Sequence, residues 1–86
     1  MNTTKASKKL QGKATQILVP RRIKLNCERI VKELRDDGIG QIYSKMSVDL
    51  KIEVGVINRF FQPTGIATQA NIDLIYDWCI KNDPSK

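Results

Sequence analysis

The chain has 86 residues, enough for one small domain with a modest hydrophobic core. Its net charge is +6, it contains no histidine, and no apolar run approaches the ~18–20 residues of a membrane span. It also has no signal-peptide core, phosphate loop or metal-ligand spacing, so we expect a cytoplasmic binding protein that is not an enzyme and holds no cofactor, metal or small ligand.

The positive charge is concentrated at the start of the chain. Residues 1–24 carry seven cations and no acid, whereas residues 25–86 carry eight basic and nine acidic side chains and sum to −1. A basic segment on a near-neutral body indicates a polyanionic partner. Since the start of the chain is polar and shows little periodicity, residues 1–20 are predicted to form a flexible, disordered basic arm. Its apolar stretch at residues 17–19 can dock on the domain or form a brief extended contact. The cations assigned to the arm are Lys5, Lys8, Lys9, Lys13, Arg21, Arg22 and Lys24.

The first helix is predicted at about residues 22–36. Pro20 lies just before this range and is well placed to begin a helix. Apolar residues then recur on one face, with charged residues on the other. Asp37 and Gly38 end the pattern, because acids are unfavourable at a helix C-terminus and glycine accepts the left-handed cap. The apolar face consists of Ile23, Cys27, Ile30, Val31 and Leu34.

Two short helices joined by a tight turn are predicted next, at about residues 41–50 and 53–62. Ser47 is small enough to let the helices approach, and Lys51 and Ile52 lie at the bend, with Ile52 pointing inward. This arrangement is a helix-turn-helix, whose second helix enters a DNA groove. The apolar residues that bury the two helices against each other are Met46, Leu50, Ile57 and Phe60.

A strand is the competing interpretation of residues 50–56. Apolar Leu50, Ile52, Val54 and Val56 alternate with other residues there, which is the period of a strand. The residues that follow return to helical spacing, and a short chain offers few partners to a lone strand. We therefore predict helices on both sides of Lys51.

The fourth helix is predicted at about residues 68–81. Pro63 and Gly65 end the third helix, and Thr68 is a suitable N-cap for the fourth. Leu74 and Trp78 form a second apolar stripe on it, which predicts a homodimer contact; the alternative is that both are buried against the first helix.

The two cysteines are predicted to be buried free thiols. Cys27 and Cys79 both fall in apolar helical stripes and match no metal or redox spacing. Taken together, the elements predict an all-α fold: a compact four-helix domain over residues 21–82, followed by a polar tail at residues 83–86.

Residues 52–61, IEVGVINRFF, resemble the recognition-helix region of the Cro/C1 class of phage repressors. The resemblance extends over roughly residues 23–78, including GIG at residues 38–40 as the first helix connection. Two features depart from the class: Lys51 stands where glycine is usual, which asks for a less common turn conformation, and the usual fifth helix has no room before Lys86.

The resemblance implies a set of DNA-contacting residues. Glu53, Val54, Gly55, Val56 and Arg59 occupy its base-reading positions. The outer face of the same helix adds two polar side chains, Asn58 and Gln62. Small donors and free backbone N–H groups near the start of the second helix predict phosphate contacts. The phosphate-contacting residues are predicted to be Gln41, Tyr43, Ser44, Lys45 and Lys51.

The sequence therefore predicts a sequence-specific regulator of transcription that binds double-stranded DNA. A repressor of phage or plasmid type, acting as a homodimer by promoter occlusion, is the leading interpretation; an antitoxin or accessory regulator of the same build is not separated from it. Two alternatives remain open. One is a small protein-binding module that uses the apolar face of the fourth helix, and the other is a non-specific nucleic-acid binder driven by the basic arm.

Overall fold

Residues 15–86 are described by a computed structural model, in which four helices surround one core and a small sheet closes one side. Each helix lies within two residues of its predicted position. The predicted arm cations at positions 5, 8, 9 and 13 lie outside the described residues. The elements in chain order are β1 (Gln16–Leu18), α1 (Arg21–Asp36), α2 (Ile42–Leu50), α3 (Val54–Phe60), β2 (Ile66–Thr68) and α4 (Gln69–Lys81).

The two-stranded sheet corrects the all-α prediction. β1 and β2 run antiparallel, with Ile17 opposite Ala67, and the Val19 N–H donates to the Gly65 carbonyl across 2.9 Å. Val19 and Ala67 are buried, so the pairing brings the start of the chain onto the core. Residues 16–19 therefore belong to the folded domain rather than to the basic arm, as the docking of the apolar stretch at residues 17–19 anticipated.

The core is formed by side chains from all four helices. Met46, Ile57 and Phe60 are fully buried, as the helix pattern predicted, whereas Leu50 is only half-buried. Burying such side chains stabilises the domain by about 1.5–3 kcal/mol each relative to leaving them in water. The largest fully buried residues are Phe60, Ile30, Ile42, Met46, Ile57, Ile72, Ile75, Cys27 and Cys79.

The two cysteines are buried free thiols, as predicted. A hydrogen bond with Cys27, together with burial, raises the pKa of the Cys79 thiol above its ordinary value. Because the thiolate is the reactive form, Cys79 is held in an unreactive state. The pair therefore fills the space between α1 and α4 as small apolar side chains.

Two predicted helix ends are confirmed. At the end of α1, Gly38 has a left-handed φ of 88° and the Ile39 N–H donates to the Leu34 carbonyl across 3.0 Å. At the start of α4, the Thr68 hydroxyl oxygen accepts from the Asn71 N–H across 3.2 Å, which satisfies a backbone donor that the helix leaves unpaired.

The tail after α4 is fastened to α1 by an ion pair. Arg29 donates to Asp83 across 2.9 Å and also pairs with Glu33 at 3.1 Å. The Arg29 guanidinium, with help from the Ser85 N–H, lowers the pKa of Asp83 to about 2.

No helix among the described residues is long and apolar enough to cross a bilayer.

Candidate nucleic-acid interface

The connection between α2 and α3 is a three-residue turn with a left-handed residue at its start. Lys51 has φ 57° and ψ 43°, the conformation that glycine adopts most readily, and its N–H donates to the Ser47 carbonyl. The Ser47 hydroxyl donates in turn to the Ile52 carbonyl across 2.6 Å, and Ile52 is buried. The less common turn conformation expected for Lys51 is therefore present, and the alternative strand over residues 50–56 is excluded.

Helix α3 buries one side and exposes the other. Ile57 and Phe60 point into the core, and Val56 is half-buried. The helix ends at Phe60, two residues earlier than predicted, so Gln62 lies in the bend that follows it. The other predicted base-reading residues all have exposed side chains or an exposed backbone. They are Glu53, Val54, Gly55, Asn58, Arg59 and Gln62.

The exposed face of α3 carries an unpaired cation. Within residues 15–86, Arg59 takes part in no ion pair, and the same is true of Lys45 and Lys51. Glu53 is the N-cap residue of α3, but its side chain makes no capping hydrogen bond. The guanidinium of Arg59 therefore has its donors available for a ligand.

Gly55 is not required by packing within the chain. It lies inside α3, and a Cβ placed on it would meet no atom within 4 Å. Glycine costs about 0.5–1 kcal/mol relative to alanine in a helix. The structure of the domain alone therefore gives no reason for glycine at this exposed position.

The predicted phosphate-contacting residues are divided between two sides of α2. Ser44 and Lys45 are exposed beside Trp78, at a shallow groove between α2 and α4. Gln41, the N-cap residue, borders the same groove and has a left-handed φ of 55°. Lys51 is exposed at the other end of α2. The five residues therefore do not form one cluster.

Tyr43 has partners that the sequence did not indicate. Its ring stacks on Phe61 with centroids 5.0 Å apart and planes 16° from parallel. The guanidinium carbon of Arg35 lies 5.4 Å from the centre of the same ring. Tyr43 thus joins α1 and α2 to the end of α3, which fixes its orientation and leaves it half-buried.

Three cations assigned to the basic arm lie on the first turn of α1. Arg21 and Arg22 are exposed, but Lys24 is engaged within the domain. Its ammonium donates to the Gln62 carbonyl and, across 3.0 Å, to the Pro63 carbonyl. Lys24 therefore holds the chain where it leaves α3, and its assignment to the DNA-contacting arm stays a prediction.

Trp78 does not belong to the predicted dimer contact, whereas the part assigned to Leu74 stays a prediction. Trp78 is 8% exposed, and its indole N–H donates to the Asp49 carboxylate on α2 across 2.8 Å, so this side chain is buried within the monomer. Leu74 is 42% exposed on the outer side of α4. The alternative, burial of both against α1, is wrong as well, because Trp78 faces α2 and Leu74 faces outward.

Comparisons of the chain with protein-family models, with curated proteins and with solved structures find no match in any of the three. The resemblance to the Cro/C1 class stays a prediction from residues 52–61. The interpretation of this surface therefore depends on the geometry of α2, the turn and α3.

Proposed function

We propose that this chain is a sequence-specific regulator of transcription that binds double-stranded DNA. In this proposal α2 and α3 form a helix-turn-helix, and α3 reads base edges in the major groove. The observation that carries the proposal is the division of α3, which buries Ile57 and Phe60 and leaves Asn58 and Arg59 exposed on the opposite side.

The exposed side chains of α3 match the chemistry of base edges. An arginine fork such as that of Arg59 donates to O6 and N7 of guanine, and Asn58 has the donor and acceptor that adenine N7 and N6 need. Val54, 48% exposed, supplies an apolar contact for a thymine methyl group. Glu53 accepts from cytosine N4 or acts only as a favourable charge at the helix N-terminus.

Gly55 supports a close approach of DNA to α3. The added methyl of an alanine would meet nothing in the protein, so the space above this residue is open. A backbone without a side chain allows a ligand to come nearer to the helix. The lost helix stability is then balanced by contacts that only the complex makes.

Phosphate contacts would set the position of the helix on the duplex. Lys51 at the turn and Ser44 near the start of α2 are exposed donors. Each cation that neutralises a phosphate steepens the logarithmic salt dependence of binding by about 0.9. The cations of the basic arm would add to this slope without adding sequence preference.

Specific binding by one copy would be weak. Helix α3 has seven residues, so it is only ~10 Å long and reaches few base pairs. Two copies related by a two-fold axis on a palindromic site would read twice as many. Occlusion of a promoter by the bound domain is the proposed mechanism of repression.

Selection of binding sites from random duplex DNA at moderate salt tests this function. The full chain should enrich a two-fold symmetric sequence, and a chain lacking residues 1–14 should retain that preference with lower affinity. The truncation stops before β1, so the sheet stays intact. Loss of all preference in the truncated chain would instead support the non-specific arm-driven binder, and no enrichment by the full chain would refute the proposal.

A matched pair of variants locates the reading surface. Arg59→Ala should weaken binding to the enriched duplex strongly, because it removes a base contact. Lys32→Ala removes one exposed cation from α1, where it pairs with Asp36, and should change binding little. Equal losses in the two variants would indicate a general effect of charge rather than reading by α3.

A further inference from the structure

Among the described residues, no strand pairs with the outer edge of β1. Within residues 15–86 the sheet has only the strands β1 and β2, so β1 has a partner on one side. The Val19 N–H points to β2, where it donates to Gly65. The directions of the N–H and C=O groups alternate from one residue of a strand to the next. The backbone N–H and C=O of Ile17 therefore also point to β2, whereas those of Gln16 and Leu18 point away from it.

This edge carries none of the charged side chains that often protect an edge strand. All three residues of β1 are exposed, Leu18 at 68%, and Leu25 nearby on α1 is 51% exposed. Residues 14–20 contain no charged side chain that would repel a second strand. Natural edge strands usually carry a lysine, a bulge or a cover for this purpose.

We propose that the outer edge of β1 pairs antiparallel with β1 of a second copy, with the two-fold axis through Ile17. Gln16 then lies opposite Leu18 of the second copy, and each such pair exchanges both of its backbone hydrogen bonds. The two sheets become one sheet in the order β2, β1, β1, β2. The exposed Leu18 of each copy lies over the joined sheet, next to Gln16 of the other.

A second copy fits this edge better than the preceding segment of the same chain does. A hairpin from residues 1–14 would bring Lys8, Lys9, Gly12 and Lys13 beside β1, and lysine and glycine are poor strand residues. Self-pairing places an uncharged edge against an identical uncharged edge. It also generates the two-fold symmetry that a palindromic site requires.

This inference rests on the proposed function for its purpose, but its test contains no DNA, so the two can fail separately. It is an alternative to the predicted contact through Leu74. The test is amide hydrogen exchange of the full chain over a range of concentrations, followed residue by residue by NMR, with sedimentation equilibrium on the same samples.

The proposal predicts an alternating pattern in β1. The N–H groups of Ile17 and Val19 should be protected at every concentration, because they face β2. Those of Gln16 and Leu18 should become protected only where sedimentation detects the dimer. A monomer at all concentrations, or a dimer without new protection at Gln16 and Leu18, would overturn the proposal; protection independent of concentration would assign the edge to the chain's own residues.

A proline variant separates edge pairing from other contacts. Gln16→Pro removes an N–H that faces away from β2, and proline is tolerated at such an edge position. Two symmetric hydrogen bonds are lost per dimer, so the dissociation constant should rise about tenfold or more. Gln16→Val keeps the N–H and should not weaken dimerisation. Unaltered association of the proline variant, with Val19 still protected, would refute the pairing; Leu18→Lys repeats the test through charge if proline prevents folding.

Discussion

Replacing Lys51 by glycine should make the domain more stable. The residue has φ 57° and ψ 43°, and a left-handed conformation costs a non-glycine residue about 1–2 kcal/mol. Glycine removes this cost but adds about 0.5–1 kcal/mol of backbone entropy to the unfolded chain. The expected net gain in the free energy of unfolding is about 0.5–1 kcal/mol, equivalent to about 2–8 °C in Tm for a domain of this size.

The matched control removes a lysine from within α2, the helix that precedes the turn. Lys45 is also exposed and without an ion pair in residues 15–86, but it lies inside α2 in right-handed helical conformation. Lys45→Gly should therefore lower the free energy of unfolding by about 0.5–1 kcal/mol. Urea titrations followed by circular dichroism at constant ionic strength compare the two variants. A loss of stability in Lys51→Gly similar to that in Lys45→Gly would refute the reasoning about the turn.

Three further predictions concern α3, α4 and the tail. Gly55→Ala should raise the free energy of unfolding by about 0.5–1 kcal/mol and weaken binding to the selected duplex, measured by fluorescence anisotropy; unchanged binding would show that DNA does not approach this residue. Trp78→Phe should cost about 1–2 kcal/mol in a urea titration, because the hydrogen bond to the Asp49 carboxylate is lost, and a cost near zero would contradict its role in joining α2 and α4. Arg29 lowers the pKa of Asp83 from 3.8 to about 2, so its stabilising effect is complete above about pH 4 and is lost as the pH falls toward 2. Thermal melts of the Asp83→Asn protein should lack this part of the pH dependence. An identical pH profile of Tm in the variant and the wild-type chain would exclude a stabilising effect of the Arg29–Asp83 pair.

The helices could be predicted because their signals are local. The apolar period of α1 continues over 16 residues, and Gly38 and Thr68 occupy positions whose backbone or capping demands are specific to their residue types. At residues 50–56 the strand and helix patterns competed locally. The helical spacing of Ile57 and Phe60 decided correctly, since both lie in the core.

The sheet could not be predicted from the sequence, because its strands leave almost no local pattern. Each strand has only three residues, and Ile17 pairs with Ala67, fifty positions along the chain. Three residues are too few to display a period of two, and strands are usually longer. The apolar stretch at residues 17–19 was the only signal, and it did not identify a partner.

Roles of individual polar groups depended on tertiary contacts. Lys24 counted as a free cation in the sequence, but the fold places its ammonium against the carbonyls of Gln62 and Pro63. Trp78 belonged to an apolar stripe whose covering element could not be read from periodicity, and Asp49 supplies the acceptor for its indole. Charge and hydropathy identify which groups need partners, but not which partners the fold brings to them.

Reading of bases by α3 is the central claim, and a repeated selection with Arg59→Ala tests it most directly. The variant and the wild-type chain are compared on the same random duplex library at the same salt concentration. The claim predicts that preference relaxes at one base-pair position in each half-site while the other positions keep their preference, with a loss of about 1–3 kcal/mol at that position. An unchanged pattern of preference with uniformly weaker binding would contradict it, because Arg59 would then contact only phosphate.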